Sequence, residues 1–211
     1  KYSGYIYKLV EEYGSKDDIK RLKLVLPKHG NHNFNVFKKS IIDYDLITCE
    51  LPEGYLYLSQ ERKSRLYKIA WDYAVNERKI TLAQIDKYKI GYTETGSRKF
   101  RIIIPSLNAM GKLNYYEARA FLKDSKRPYM KPDSPDKQDI IYNEYFINWD
   151  LPVYLVEGPF DAMRIHNAIP MLGKIPSDLL FNKLLKYNCT IIVCLDSDAF
   201  KDGVEIYKKL S

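Results

Sequence analysis

Two short apolar runs, each ending in carboxylates, constrain this chain more than any other feature. Val153-Tyr-Leu-Val leads directly into Glu157-Gly-Pro-Phe-Asp161, and Thr190-Ile-Ile-Val-Cys-Leu leads into Asp196-Ser-Asp198. Between them the pattern predicts a helix over Ala162–Asn167, a brief strand or turn at Met171-Leu-Gly, and a helix over Asp178–Tyr187 that Ser177 can cap. Gly203–Leu210 opens another helix. Apolar strands alternating with helices imply a parallel α/β sheet, buried on both faces. Cys189 and Cys194, which flank the second run, read as small core residues. Ligands of such sheets bind at the carboxyl ends of the strands. Glu157, Asp196 and Asp198 all fall at that edge.

Three carboxylates at the ends of neighbouring strands repel one another, and a hard divalent cation relieves the repulsion. Mg²⁺ suits such oxygen donors and keeps waters for exchange with phosphate. The i, i+2 spacing lets Asp196 and Asp198 point from one strand end toward one ion. Alternatively, Asp196-Ser-Asp198 simply caps the next helix; the pairing with Glu157 favours the metal. Asp161, four residues after Glu157, fits either the surroundings of that metal, a basic partner, or a helix cap.

Charge divides the chain differently. Of its 211 residues, 34 are basic and 27 acidic, a net charge of +7. Ser97–Lys131 alone holds Arg98, Lys99, Arg101, Lys112, Arg119, Lys123, Lys126, Arg127 and Lys131 against Glu117 and Asp124, which equals the whole excess. Residues 150–211 are slightly acidic. A basic stretch attracts polyanions by releasing their counterions, and Tyr115, Tyr116 and Tyr129 within it offer faces for stacking bases. The plainer alternatives are a solvated lysine-rich surface and packed tyrosines. No apolar stretch approaches the roughly 18 residues of a membrane-spanning helix. With no apolar leader and no CxxC pair among three cysteines, the expectation is a cytoplasmic protein away from membranes.

Along the rest of the chain, Ser3–Lys23 reads as a helix, split or not at Gly14-Ser15. Pro27–Asn33 reads as a loop, and Val36–Leu51 as an extended linker. His29 and His32 lack companion ligands, so a loop is preferred to zinc. Gln60–Asn76 is a predicted helix with Leu66, Ile69, Ala70 and Tyr73 on one face. Thr81 caps a short helix from Leu82 to Asp86. Phe100–Pro105 and Leu113–Phe121 form a predicted hairpin around Ala109-Met-Gly-Lys. Leu113, Tyr115, Glu117 and Arg119 would share a mixed face, suited to a ligand. Lys126–Asp136, with three prolines, is read as loop.

The segments Val153-Tyr-Leu-Val-Glu-Gly-Pro-Phe-Asp-Ala and Ile192-Val-Cys-Leu-Asp-Ser-Asp resemble the two signature segments of the TOPRIM domain. Upstream, Arg101-Ile-Ile-Ile-Pro-Ser-Leu-Asn-Ala-Met-Gly-Lys-Leu and Glu117-Ala-Arg119 resemble the basic segment of DnaG-type primases. Leu82–Tyr92, Lys126-Arg-Pro-Tyr129-Met-Lys-Pro-Asp-Ser-Pro and Ile141-Tyr-Asn are similar to the same family. The resemblance covers about Gln60 to Gly203 and is nearest to the phage-type members. It implies a mixed α/β basic subdomain followed by a TOPRIM-type parallel α/β sheet, incomplete at the C-terminus. Residues 1–50 would be a helical segment and linker, 51–150 the basic subdomain, and 151–211 the partial TOPRIM subdomain. The implied activity is synthesis of short RNA primers from nucleoside triphosphates (NTPs) on single-stranded DNA, with Mg²⁺ or Mn²⁺. The family also implies a replicative helicase, fused or separate. Glu157, Asp196 and Asp198 would bind metal, with Asp161 another functional acid. Arg101, Arg119 and Tyr129 would contact template or nucleotide.

The chain departs from the family at several points. Pro128 stands where the family usually has lysine before the tyrosine, leaving Arg127 or Lys131 to supply that charge. Ala199-Phe-Lys-Asp202-Gly203 replaces the usual Ala-Gly. The family's later acidic motif and its N-terminal zinc ribbon, which would carry the only zinc, are absent from this sequence. The expectation is therefore an interior piece of a primase. A TOPRIM nuclease and a non-catalytic single-strand-binding module are the competing readings.

Overall fold

The computed structural model describes residues 46–187 and 189–210, all within the compact unit Asp43–Ser211. The helix expected over Ser3–Lys23, the His29/His32 loop and most of the linker at Val36–Leu51 lie outside the described residues.

Five strands form an antiparallel sheet in the order β1 (Tyr55–Tyr57), β2 (Gly91–Thr93), β3 (Arg101–Leu107), β4 (Leu113–Ala120) and β5 (Tyr129–Met130). The hairpin of β3 and β4 turns through Ala109–Lys112, as its turn residues predict. However, β3 runs two residues past Pro105. Pairing with β2 ends at Ile103, so a residue without an N–H loses no ladder bond on that side. β5 corrects the reading of Lys126–Asp136 as loop throughout: Tyr129 and Met130 add to the open edge of β4, opposite Arg119 and Ala118.

The helix expected over Gln60–Asn76 is shorter and of two kinds. Ser64 caps α1 (Arg65–Trp71), and Asp72–Glu77 continues it as a π-helix. Thr81 and Gln84 form a reciprocal capping box on α2 (Leu82–Lys87). These helices bury Tyr67, Ala70, Tyr73, Ala74 and Ile85 against Tyr92, Ile102, Ile104 and Tyr115. Beneath the hairpin, Ser106 donates to Asn114 Oδ1 (2.7 Å), Asn114 Nδ2 donates to the Ile141 carbonyl (3.2 Å), and the Asn143 N–H donates to Ser106 Oγ (2.8 Å). This buried network ties the segment after β5 to the sheet.

A separate three-stranded parallel sheet has the order β7-β6-β8, from β6 (Val153–Val156), β7 (Ala168–Pro170) and β8 (Ile191–Val193). The mixed α/β architecture expected from the sequence is thus present. Local assignments shift. α3 is Pro159–Ala162, a short helix that precedes the one expected at Ala162–Asn167, and the strand is Ala168–Pro170 instead of Met171-Leu-Gly. Proline at the first helical position starts α3 immediately after Gly158. α4 (Asp178–Lys186) is capped by Ser177 as expected, and α5 (Phe200–Leu210) starts three residues before Gly203. β8 is half-buried and Cys189 and Cys194 with it, because it is an edge strand of the three. The cores interlock: Phe160 and Met163 pack with the first sheet's core, and Ile141 packs with the second's.

Candidate functional site

Parallel pairing of β6 with β8 puts their carboxyl ends side by side. Leu155 lies opposite Val193, and the Cys194 N–H donates to the Leu155 carbonyl (2.8 Å). One residue further on, past Val156 and Leu195, come Glu157 and Asp196, and the Asp196 N–H donates to Glu157 Oε1 at 3.2 Å. Asp196 begins the 3₁₀ turn Ser197–Ala199, yet its side chain makes no capping hydrogen bond. Its carboxylate faces water.

Asp198 is also exposed and lies 3.6 Å from Lys174 Nζ, which stands 3.7 Å from Asp202 as well. Asp161 is in the first turn of α3, with its carboxylate folded against Gly158. The donor chemistry of Glu157, Asp196 and Asp198 suits a hard cation: oxygen only, open to water, beyond parallel strands. Among the described residues, however, no group of three or more such ligands converges closely enough to hold a metal.

The basic residues divide by strand register. Paired residues of antiparallel strands share a face. Ile102 opposes Arg119 and Tyr129 opposes Arg119, while Arg101 opposes Ala120. Arg119 and Tyr129 therefore lie on the helix-covered face with Tyr115 and Glu117, and Arg101 lies on the other.

Arg101 is buried, and its Nη1 donates to the carbonyls of Ala118 (3.3 Å) and Pro128 (3.4 Å). Burial, then the like charges of Arg98, Arg119 and Arg127, lower its pKa. Arg98, which sequence reasoning did not single out, donates to the Lys131 carbonyl (3.0 Å) and to Asp133 (2.7 Å). Both guanidiniums thus pin the proline-rich loop. Arg127 and Lys131 are exposed on it, Lys131 paired with Asp136.

On the helix-covered face the Arg119 guanidinium sits 4.4 Å from the Tyr129 ring centre, within cation–π range. Its Nε donates to Tyr73 Oη (3.1 Å), and the same hydroxyl accepts from Arg78 Nε (2.8 Å). Arg78 also lies over the rings of Tyr73 (5.2 Å) and Phe160 (4.9 Å). Tyr73, Arg78 and Arg119 border an open cleft of about 420 Å³, lined further by Lys123, Ser125 and Pro128. Burial raises the Tyr129 pKa, opposed by Arg119 and Arg78. Glu117, on the same face, has its pKa raised to about 7 by burial, which outweighs the pull of Lys137 and Lys131.

Tyr73 and Arg78 were missed at the level of sequence. Tyr73 fits the apolar stripe of its helix, and Arg78 reads as an ordinary charge near a helix end. The one available signal was a tyrosine, a residue whose hydroxyl needs a partner when buried.

No protein-family model matches the chain. A DNA primase of Enterobacteria phage T4 is 25% identical over 172 residues, covering 82% of this chain and 48% of that protein. The chain thus spans about half the length of the curated relative it matches. The RNA polymerase domain of the Mycobacterium tuberculosis primase DnaG superposes with a TM-score of 0.59 at 15% identity, over 71% of this chain and 66% of that one. A DNA primase domain from Pseudomonas aeruginosa gives 0.58 at 19% identity, over 70% and 61%. The zinc-binding and RNA polymerase domains of the Aquifex aeolicus primase give 0.56 at 19% identity, over 70% and 47%. The chain has the fold of the DnaG-type primase core and weak sequence homology to a phage primase.

Proposed function

We propose that this chain is a primase catalytic core that joins NTPs into short RNA primers on single-stranded DNA. The observation that carries the reading is the position of Arg78. It rests on Phe160, three residues beyond Glu157, and shares a tyrosine hydroxyl with Arg119. A cationic, aromatic cleft and an acidic strand edge are therefore joined through one side chain. Phosphoryl transfer needs both: groups that hold phosphates, and carboxylates that hold the ions neutralising developing charge.

In this reading Glu157, Asp196 and Asp198 hold Mg²⁺ or Mn²⁺, with Asp161 beside them. Bound metal would orient the triphosphate and stabilise its leaving group. Arg119 and Tyr129 present charge and a stacking face to nucleotide or template. Arg101 keeps the loop bearing Tyr129 in place, and Arg127 and Lys131 extend the cationic surface. Work on a replication fork would pair the protein with a replicative helicase in the cytoplasm. Among the described residues, no helix is long and apolar enough to cross a membrane.

Asp196→Ala is expected to abolish metal-dependent dinucleotide synthesis while single-strand binding survives. Synthesis retained by that variant overturns the reading. The pairing of Asp198 with Lys174 favours one alternative, a single-strand-binding module without catalysis. Mn²⁺ titration by electron paramagnetic resonance separates the two, since only the first requires the ion to bind at Glu157 and Asp196.

A further inference from the structure

We infer that Lys174 is a built-in cation of the acidic strand edge, standing where a second divalent ion would otherwise bind, so that the edge takes a single ion. The inference rests on the proposed metal-dependent reading and deepens it: it states how many ions that edge holds and which residue decides the number.

The edge carries two pairs of carboxylates. Glu157 and Asp196 form one, joined by the Asp196 N–H that donates to Glu157 Oε1. Asp198 and Asp202 form the other, with the Lys174 ammonium 3.6 Å from Asp198 Oδ2 and 3.7 Å from Asp202 Oδ2. Two groups of carboxylates at one edge are the donor set of a two-ion site. Here the second group already holds a cation, nearly midway between its members. A lysine ammonium is a compact point charge suited to that position. A divalent ion entering between Asp198 and Asp202 would have to displace it or sit against it, and like charges at such range repel. The contact to Lys174 runs through Oδ2 of Asp198, which leaves its other oxygen to serve the ion at Glu157 and Asp196.

The backbone delivers Lys174 to this place. The parallel order β7-β6-β8 sets three carboxyl ends side by side, and Lys174 follows β7 while Asp198 and Asp202 follow β8. The lysine therefore spans the edge, over the middle strand that leads to Glu157. Two residues before it, Leu172 has φ +56°, a left-handed conformation that leucine rarely adopts. Such strain persists only where the surroundings hold it, and it clusters at functional sites. Here Lys137 Nζ donates to the Leu172 carbonyl at 2.7 Å, and a Cβ at Gly173 would meet the same ammonium at 3.2 Å. The turn that presents Lys174 is thus fixed from the segment after β5. Single exposed ion pairs contribute little; this one differs in having two acceptors and a strained, anchored turn behind it. Asp202 also falls in Ala199-Phe-Lys-Asp202-Gly203, a stretch in which this chain departs from the DnaG-type pattern.

The test counts Mn²⁺ bound per chain by electron paramagnetic resonance, without nucleotide or template. The proteins are the wild type, Lys174→Arg, Lys174→Met, and Lys174→Met combined with Asp202→Asn. The wild type and Lys174→Arg should bind about one ion, Lys174→Met about two, and the double variant about one again. Circular dichroism checks the fold, and Lys174→Gln replaces Lys174→Met if the latter unfolds. Two ions in the wild type, or one in the folded neutral variant, overturns the inference and leaves the metal-dependent reading standing. No bound ion in any of these proteins removes both. Loss of dinucleotide synthesis in Asp196→Ala, a separate measurement, bears on the primase reading alone.

Discussion

Replacing Glu117 by glutamine should stabilise the protein at alkaline pH and leave it unchanged in acid. Glu117 lies on β4 between Tyr115 and Arg119, on the face packed beneath the helices. Burial raises its pKa from the ordinary 4.5 to about 7, even after the attraction of Lys137 and Lys131 is included. Between those values the folded protein keeps a proton that the unfolded chain releases. Stability therefore falls as pH rises through this window, and the loss is complete above about pH 7. At about 1.4 kcal/mol per pH unit, the displacement amounts to about 3 kcal/mol at most. Glutamine never loses a proton, so the variant lacks this slope.

The assay is urea unfolding of both proteins from pH 4.5 to 8.5, read by circular dichroism. The difference in unfolding free energy should open from near zero to about 2–3 kcal/mol in favour of the variant. All other titrating groups are shared and cancel in the difference. A difference that stays constant within about 0.5 kcal/mol across the range would falsify the assignment of Glu117 as a half-buried carboxyl that stays protonated to about pH 7.

Three further outcomes follow from named contacts. Asn114→Ala leaves the Ser106 hydroxyl and the Ile141 carbonyl without their buried partner; it should cost about 2–4 kcal/mol in chemical denaturation, and a cost under about 1 kcal/mol contradicts the network's role. Gly158→Ala places a methyl carbon 3.3 Å from Asp161 Oδ2 and pushes that carboxylate outward. The unfolding temperature should hold while Mn²⁺-dependent synthesis drops; unaltered synthesis shows that the position of Asp161 is immaterial. Lys174→Ala removes the counter-charge of Asp198 and Asp202. Mn²⁺ binding at the acidic edge should tighten about 3- to 10-fold, and weaker binding would show that the lysine supports the site instead of competing for it.

Sequence periodicity was enough to establish the strand ends that carry Glu157 and Asp196, the β3–β4 hairpin, and the caps at Thr81 and Ser177. These features are local: an apolar run, a turn, or a hydroxyl a few residues before a helix determines each. The first sheet's edge was less legible, because Tyr129-Met130 becomes a strand only by meeting β4. The charge count located a basic stretch but not its division. Arg101 and Arg119 look alike in composition, and only strand register sends them to opposite faces. One secures a loop from a buried position; the other reaches a cleft. Arg78 and Tyr73 depended on a π-helix, whose extra residue per turn has no sequence period of its own. The partnership of Arg78 with Phe160 required contact between segments about eighty residues apart, a distance over which only packing of the whole unit can bring that cation and that ring together.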